Sequence, residues 1–505
     1  MFEEIKTNRR LQIIIGVVLV IVIGIGVIII SQPKKTGVVA TPNYPITLNW
    51  WKPFYGGEVY DKIIEDFQKL PQNKDVKINL IKKPYDDKSN DYYKTFLQDQ
   101  ARGTGPDIFT IKNDDLPAYK EFCTPISNVR DSSGIFVPDT KLITDYKEKF
   151  VNLVVKDTMD RNQIFGITSY LENLQLYYND NLLKQAGITM PPSTWADLDR
   201  QLPLLNKREA GGLQFSRNAI ALGTGIIQKP VNGEPEKNNI NRFQDIMPML
   251  LFQNGGQMYD KNAKKILFGD NRNSQDVKTN QATTKDFNEI DKNENPAYQA
   301  VNFYNSFAND KTSRYSWVYN SSLNVDAFTQ GRLAYMLNYS YFQNTIKDKN
   351  STLQYGVAKL PQLDMNNKRT YGFFFMDCVS QNLKEKSTNS KDGATKRKYQ
   401  VAKDFLYYLS SAKVQEKFAS ITGLPSGHKD VIAKQQINGN RNSRIFAEGA
   451  IYADNYYKPD VKRAEKIWGD MMYRIQFENM TLEKSLQQAI KEYSDIVKDG
   501  PKVKN

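Results

Sequence analysis

The chain has 505 residues and a formal net charge of +13, with 69 Lys and Arg against 56 Asp and Glu. Because only one His and two Cys are present, the composition argues against a zinc site, and we expect neither a metal nor a cofactor. The positive charge favours anionic surfaces, but no basic block interleaved with aromatic residues indicates nucleic-acid binding.

Residues 11–30 form an uncharged apolar stretch, LQIIIGVVLVIVIGIGVIII. At the rise of an α-helix this stretch extends about 30 Å, which matches the hydrocarbon core of a bilayer. It therefore predicts a transmembrane signal anchor. A cleaved signal peptide ending near Ala40 is the alternative, but cleavable apolar regions usually run about 7–15 residues, with the cleavage site close behind.

The charges around the apolar stretch predict its orientation. Lys6, Arg9 and Arg10 precede it, and basic residues tend to stay on the cytoplasmic side of a membrane. We therefore expect residues 1–10 in the cytoplasm and residues 31–44 as a polar linker. The rest of the chain would lie on the extracellular face of the cell membrane, anchored to the lipid bilayer by the apolar stretch.

Strands and helices alternate after the linker. The strand predictions rest on alternating or continuous apolar residues, and the helix predictions on apolar residues spaced three or four apart. This order predicts an α/β fold with a mainly parallel sheet, in which ligands bind beyond the carboxyl ends of the strands. The predicted elements are a strand over 46–50, a helix over 58–70, a strand over 76–81, a helix over 91–102 and a strand over 107–111.

Helical spacing returns in the last part of the chain, over residues 461–498. The pattern predicts two helices that divide near Asn479. Thr481 is expected to cap the second helix, because the side chain of Thr at this position accepts a hydrogen bond from the first turn.

The two cysteines and the single histidine leave few options for catalysis. In an oxidising exterior Cys123 and Cys378 could pair, and closing a loop of about 255 residues would stabilise the fold by about 5 kcal/mol on the chain-entropy model. Two buried free thiols are the alternative. His428 stands in the sequence Ser-Gly-His-Lys, which predicts an exposed loop, so we do not expect a Ser/His catalytic triad.

Five motifs, in order along the chain, resemble those of a known family. The longest runs from Phe165 to Trp195 and includes Leu-Tyr-Tyr-Asn-Asp-Asn-Leu-Leu, Ala-Gly-Ile and Pro-Pro-Ser-Thr-Trp. The others are Gly103–Ile108, Phe328–Met336, Tyr355–Pro361 and Gly423–Ser426. Together they are similar to the motifs of the extracellular solute-binding proteins of bacterial ABC importers, the family that includes maltose-binding protein.

The resemblance implies a two-lobed, periplasmic-binding-protein-like (type II) α/β fold whose lobes close on a solute by a hinge. On this chain, lobe one would comprise residues 45–168 and 373–435, and lobe two residues 169–371 and 436–500. Relatives usually carry a cleaved signal peptide, often with a lipid-modified cysteine. The predicted transmembrane anchor is therefore a departure from the family pattern.

The resemblance places the ligand in the cleft between the lobes. A hydroxyl-rich solute needs charged or amide groups for its hydroxyls and flat rings for its apolar faces. In sugar-binding relatives a carboxylate that follows the strand over 107–111 bonds sugar hydroxyls, and Asp114 matches that position. The cleft carboxylates favour a neutral or cationic ligand. The residues expected to bind the ligand are Trp50, Trp51, Asn113, Asp114, Asp115, Glu172, Gln244, Asp245, Tyr339, Tyr341 and Tyr456.

These features predict a binding protein and not an enzyme. We expect it to capture a small polar solute, with a carbohydrate as the favoured class, and to deliver it to an ABC permease in the membrane. Two alternatives stay open on the sequence. One is a surface hydrolase that acts on wall glycans with two carboxylates, and the other is a non-transport adhesin or sensor with the same fold.

Overall fold

The computed structural model of the chain describes residues 45–504, except 54–56, 85–90, 131–135, 210–214, 232–235 and 272–289. The predicted cytoplasmic segment, transmembrane anchor and linker lie outside these residues. Within the described ranges, no helix is both long and apolar enough to cross a membrane. Residues 46–505 form one compact unit.

The described elements alternate through most of the chain. The strands, β1 to β22 in chain order, are Ile46–Lys52, Val76–Lys82, Ile108–Lys112, Cys123–Thr124, Asn128–Arg130, Phe136–Pro138, Met159–Asp160, Gln163–Ile164, Ile167–Thr168, Glu172–Asn173, Gln175–Asn179, Lys207–Arg208, Phe215–Ile220, Ile226–Gln228, Lys237–Asn238, Tyr259–Asp260, Lys265–Ile266, Leu333–Asn338, Tyr355–Ala358, Thr370–Phe373, Phe375–Ser380 and Ala453–Asp454. The α-helices, α1 to α18, are Glu58–Gln68, Asp91–Ala101, Leu116–Tyr119, Thr140–Lys149, Asn152–Thr158, Asp180–Gln185, Trp195–Leu205, Phe243–Gln253, Pro296–Ser306, Asn324–Thr329, Phe342–Lys349, Gln381–Asn389, Gly393–Ser410, Ala412–Thr422, Lys429–Asn438, Arg441–Ile451, Val461–Phe477 and Leu482–Asp499.

The first sheet has the order β2-β1-β3-β21-β4, and β9 pairs with β21. Strand β1 runs parallel to β2 and β3, as the alternating strands and helices predict. Strand β21 lies antiparallel beside β3, β4 and β9. The sheet is therefore mixed and the expected mainly parallel sheet is wrong, because the pattern of the first strands does not show that a strand from a much later part of the chain joins them. Strand β3 is buried along its whole length, which is typical of a central strand covered on both faces.

The second sheet has the order β12-β13-β18-β11-β19. Strand β13 is parallel to β18, whereas β11 is antiparallel to both β18 and β19. Each sheet has its own hydrophobic core. We call the part of the chain around the first sheet the first lobe, and the part around the second sheet the second lobe.

Large aromatic side chains fill both cores. In the first lobe, Trp50 packs edge-on against Phe405, with ring centroids 5.2 Å apart. In the second lobe, Trp468 and Tyr493 both pack around Phe268, at centroid distances of 5.3 and 6.1 Å. Two cores with two sheets confirm the two-lobed α/β fold.

A small third sheet, β10-β20-β22, joins three distant parts of the chain. Strand β10 pairs antiparallel with β20, and β20 pairs parallel with β22. Its middle strand, β20, precedes β21 of the first sheet by one residue. Three chain connections at one place suit a hinge between two lobes, while the exact lobe boundaries stay a prediction.

The two C-terminal helices form as the sequence predicts. Helix α18 buries apolar side chains three and four residues apart, including Leu486, Ala489 and Tyr493. The Thr481 hydroxyl accepts a hydrogen bond from the backbone N–H of Lys484, with N and Oγ1 3.4 Å apart. The predicted N-cap is therefore confirmed.

The cysteines and the histidine are all buried. Cys123 and Cys378, on the paired strands β4 and β21, are free thiols, and burial together with a hydrogen bond that the Cys378 thiol donates to Cys123 raises the pKa of Cys378. Their pairing stays a prediction. The expected exposed position of His428 is wrong, because its backbone pairs with Phe150 and only 1% of the residue is exposed. Burial lowers the pKa of His428.

Candidate functional site

Asp114 lies at the carboxyl end of β3 and links the two lobes. It is buried, and its carboxylate is 3.0 Å from the Nζ atoms of both Lys112 and Lys458. The side-chain amide of Asn455 donates a further hydrogen bond to it over 3.2 Å. Burial opposes ionisation, but the two ammonium groups lower the pKa of Asp114 well below its usual value.

Lys458 is fully buried in a cage of oxygen atoms and rings. Its Nζ atom is 2.7 Å from the Tyr371 hydroxyl and 3.1 Å from a carboxylate oxygen of Glu465, in addition to Asp114. It also lies 4.9 Å from the ring centroid of Tyr456 and 5.3 Å from that of Tyr371. Burial disfavours the charge, but Asp114 and the other neighbours raise the pKa of Lys458.

These charges form a closed set that we call the cross-lobe network. Its members are Lys112 and Asp114 of the first lobe and Lys458 and Glu465 of the second. The Nζ atom of Lys112 is 3.6 Å from Glu465, so cations and carboxylates alternate around the set. Since the two charges of each sign balance, burial of the network leaves no uncompensated charge.

A cavity of about 290 Å³ lies beside the network, with residues of both lobes in its walls. Tyr259 and Tyr457 stack there, with ring centroids 5.2 Å apart and planes 25° apart. Flat rings beside polar side chains can hold an apolar face and hydroxyl groups of one ligand. The lining residues are Asn113, Asp114, Leu116, Pro117, Lys120, Asp157, Met159, Asp160, Tyr259, Lys261, Lys264, Tyr456, Tyr457, Lys458 and Pro501.

Asn113, Asp114 and Tyr456 are the expected ligand residues that line this cavity. The amide of Asn113 donates to Asp157 over 2.7 Å, and its oxygen accepts from the backbone N–H of Phe374 over 2.9 Å. Asp115 adjoins the cavity residues, but its carboxylate is held 3.0 Å from Lys504 Nζ.

Asp245, Tyr339 and Tyr341 form a second group, at the start of α8 and the end of β18. The Tyr339 hydroxyl donates to Asp245 over 2.6 Å, and the rings of Tyr339 and Tyr341 stack 5.8 Å apart. Arg242 pairs with Asp245 and lies 5.6 Å over the ring of Tyr339. Gln244, half-buried, stands beside them.

Two buried atoms of this second group have no hydrogen-bond partner among the described residues, Asp245 Oδ1 and Arg242 Nη2. Arg242 Nη2 still forms an ion pair with the other carboxylate oxygen of Asp245. The backbone of Arg242 is in the left-handed region, with φ of 67°, which a non-glycine residue rarely adopts. These features set the group apart from ordinary core packing, although the group does not line the cavity.

Glu172 lies in the hinge sheet, on β10, away from the cavity wall. Its carboxylate accepts hydrogen bonds from the backbone N–H and the hydroxyl of Ser340, at 2.8 to 2.9 Å. Burial raises the pKa of Glu172 to about 7, although these hydrogen bonds oppose the shift.

Trp50 and Trp51 belong to the first core and do not line the cavity. Both tryptophans are expected at the end of a strand over 46–50, but β1 continues to Lys52. Trp50 is fully buried, and its indole N–H donates to Asp377 over 3.0 Å. Trp51 is 5% exposed and lies under the Nζ atom of Lys83, 4.0 Å from the ring centroid.

Most of the charged residues of the site are not among those that the sequence predicts. No motif contains Lys112, Lys458 or Glu465. A charged side chain in a sequence normally predicts a solvated surface, so the sequence does not indicate that these three residues are buried in a site. Tyr259 was not predicted either, because it lies in a short hairpin, β16–β17, far along the chain from Tyr457. Tyr456, which the sequence predicts to bind the ligand, marks the cleft but not the stacked pair of tyrosines.

Two α/β lobes, a three-stranded hinge and a cavity between the lobes define a two-lobed binding protein. The chain belongs to the family of bacterial extracellular solute-binding proteins, whose model matches residues 62–442. The membership confirms the resemblance that the sequence motifs indicate. A family of binding proteins outside the cytoplasm agrees with the expected extracellular position and with binding in place of catalysis.

Three known proteins illustrate the likeness. A cyclo/maltodextrin-binding protein complexed with maltotetraose has a TM-score of 0.64 at 15% identity, covering 91% of this chain and 99% of its own. The ABC substrate-binding protein of Listeria monocytogenes in complex with cycloalternan has a TM-score of 0.59 at 15% identity, covering 90% of this chain and 100% of its own. A Brucella abortus (strain 2308) protein named only as a binding protein is 21% identical over 337 residues, which are 66% of this chain and 67% of that protein.

Proposed function

We propose that this protein captures a carbohydrate in the cavity between its lobes and presents it to an ABC importer. The observation that carries the proposal is the stack of Tyr259 and Tyr457, which lies in the same cavity as Asn113 and Asp114. A sugar ring has an apolar face for such rings and hydroxyl groups for the amide and the carboxylate. The apolar residues 11–30 would hold the protein at the membrane.

Two of the similar structures support the ligand class. One was solved with maltotetraose and the other, an ABC substrate-binding protein, with cycloalternan. Both ligands are saccharides. Their identity with this chain is 15% in each case, so the support concerns the class of ligand and the import partnership, and not a particular sugar.

The cavity wall contains residues of both lobes, and this favours closure of the hinge when a ligand binds. Asp114 comes from the first lobe and Lys458 from the second, and both line the cavity. A ligand that touches both walls gains its full set of contacts only when the lobes are closed. Binding therefore shifts the population toward the closed form, which is the form that would dock on the permease.

The test is a thermal-shift measurement on a chain that begins at Pro45, because residues 46–505 form a compact unit. The probes are maltotriose, cellotriose, trigalacturonate and glucose 6-phosphate. At a concentration of one hundred times Kd, a bound saccharide stabilises the folded form by about 2.7 kcal/mol, so we expect a rise in Tm of several degrees for at least one probe.

Matched variants assign the effect to the cavity. Tyr259→Ala and Tyr457→Ala should each weaken binding of that saccharide at least tenfold. Tyr319→Ala is the control, since Tyr319 is 59% exposed, packs on Phe477 and does not line the cavity. No change in Tm with any of the four probes would refute the proposed function.

A further inference from the structure

The carboxylates of the cavity are already occupied. Asp114 is bound in the cross-lobe network, and Asp160 pairs with Lys120 over 2.6 Å. Asp157 accepts hydrogen bonds from the side-chain amides of Asn113 and Asn455, both at 2.7 Å. A cationic ligand would therefore have to displace an existing partner of each aspartate in the wall.

Only two of the four lysines that line the cavity form ion pairs among the described residues. Lys120 and Lys458 pair with aspartates, as given above. Lys261 and Lys264 are exposed, and within the described part of the chain no carboxylate lies within ion-pair distance of either. Asp260, their neighbour in sequence, uses its carboxylate to accept the backbone N–H groups of Asn262 and Ala263.

The same short hairpin carries both these lysines and one ring of the tyrosine stack. Tyr259 is in β16, and Lys261 and Lys264 are in the turn that leads to β17. The Nζ atom of Lys261 lies 5.4 Å from the ring centroid of Tyr457. A substituent on a sugar that stacks on these tyrosines would thus meet an ammonium group.

Resting on the proposed function, we propose that the saccharide carries an anionic group, a carboxylate or a phosphate ester, which Lys261 and Lys264 bind. Among the described residues and the ligand, each of the four lysines and three aspartates of the lining then has a partner, because Lys261 and Lys264 meet the charge of the ligand. This reverses the expectation of a neutral or cationic ligand, which counted the cleft carboxylates without their partners.

The experiment measures binding by calorimetry, again on the chain that begins at Pro45. The probes are maltotriose as the neutral saccharide, trigalacturonate as the carboxylated one, glucose 6-phosphate as the phosphate ester and inorganic phosphate alone. We expect trigalacturonate or glucose 6-phosphate to bind at least tenfold more tightly than maltotriose and than inorganic phosphate. The preferred probe identifies which of the two anionic groups is recognised.

A double variant tests the role of the hairpin lysines. Lys261→Ala with Lys264→Ala should weaken the acidic probe at least tenfold and leave the affinity for maltotriose within twofold. Lys265→Ala is the matched control, because Lys265 lies on the same hairpin, pairs with Asp270 over 3.2 Å and does not line the cavity.

Each other outcome has a distinct meaning. Maltotriose binding as tightly as the acidic probes, or a double variant without effect on them, would overturn this inference and leave carbohydrate capture standing. Inorganic phosphate binding as tightly as glucose 6-phosphate would overturn it as well, because the site would then recognise the anion without the sugar. No binding of any saccharide would overturn the proposed function itself.

Discussion

Lys504 and Asp115 form an ion pair across the lobes, with Nζ 3.0 Å from the carboxylate. Asp115 follows β3 in the first lobe, whereas Lys504 follows α18, which packs in the second core. The backbone N–H of Lys504 also donates to the Tyr119 hydroxyl over 3.0 Å. Between the end of α18 and Lys504, the chain passes the cavity, and Pro501 is part of the cavity wall. The segment 500–504 is thus a strap from one lobe to the other.

Replacing Lys504 should loosen this strap. Lys504→Ala removes the partner of a carboxylate that is 2% exposed, although the Tyr93 hydroxyl still donates to it. We expect a loss of about 1.5–3 kcal/mol in the free energy of unfolding, which is the usual contribution of a hydrogen bond to a charged group. Hydrogen exchange should become faster over residues 500–504. Urea denaturation and exchange mass spectrometry measure the two effects.

Lys502→Ala is the control for the strap. Lys502 pairs with Asp499, three residues earlier, and its side chain is 50% exposed, so its loss should change the unfolding free energy by less than about 0.5 kcal/mol. Equal effects of the two substitutions would contradict a specific role of Lys504.

Removing a cation or a carboxylate from the cross-lobe network should lower the free energy of unfolding. Asp114→Asn leaves Lys112 and Lys458 buried with one carboxylate in place of two. Since breaking a buried ion pair leaves an uncompensated charge, we expect a loss of about 3–5 kcal/mol on urea denaturation. The lobes should also separate, which small-angle scattering would record as a larger radius of gyration.

Asp66→Asn provides the comparison for Asp114. Asp66 pairs with Lys417 at the surface of the first lobe, with side-chain exposures of 38% and 32%, and such pairs contribute about 0–1 kcal/mol. A change at Asp114 no larger than the change at Asp66 would show that the network contributes little to closure.

Glu172 should make the stability of the protein fall as the pH rises toward neutral. Its folded-state pKa of about 7 is above the ordinary value of 4.5. The folded form therefore holds the proton more tightly than the unfolded form. The resulting stability is complete below about pH 4.5 and is lost as the pH rises through about 7, with a limit of about 3 kcal/mol.

The variant Glu172→Gln isolates this effect, because glutamine cannot ionise. We expect the difference in unfolding free energy between the native protein and the variant to change by up to about 3 kcal/mol between pH 4.5 and 8. His428 acts in the opposite direction, since its pKa is lowered by burial, but it is present in both proteins and cancels. A difference that is constant with pH would contradict the assignment.

The buried thiols make a separate prediction. Cys123 and Cys378 are free and buried in adjacent strands. An aromatic disulfide reagent should find no reactive thiol in the folded protein and two after unfolding, if the protein is kept from oxidation. No thiol after unfolding of protein taken directly from the cell exterior would show that the two cysteines pair there.

The sequence predicted the first lobe well where local patterns decide the structure. The strand and helix positions up to β3 follow from apolar spacing, and Thr481 shows that an N-cap is readable from local sequence alone. The end of β1 was not readable, because Trp51 and Lys52 continue the strand and the buried Lys52 pairs with Asp377 of β21, which comes more than three hundred residues later in the printed sequence.

The site was predictable only in part, for a similar reason. Asp114 was found because its place after β3 matches the family pattern. Lys458 was not, since its burial depends on Asp114, Tyr371 and Glu465 together. A buried ion network is a property of the folded neighbourhood, and no single member reveals it.

Lys458 also gives the protein an unusual kind of cleft. Its ammonium group sits among two carboxylates, a phenol oxygen and two aromatic faces, and aromatic faces are also what binding sites for quaternary ammonium ligands use. The side chain of Lys458 thus occupies the position that an ammonium ligand would take in such a site. Shortening that side chain to alanine would leave a vacant compartment already shaped for a small alkylammonium ion, and adding such an ion from solution would restore the missing charge.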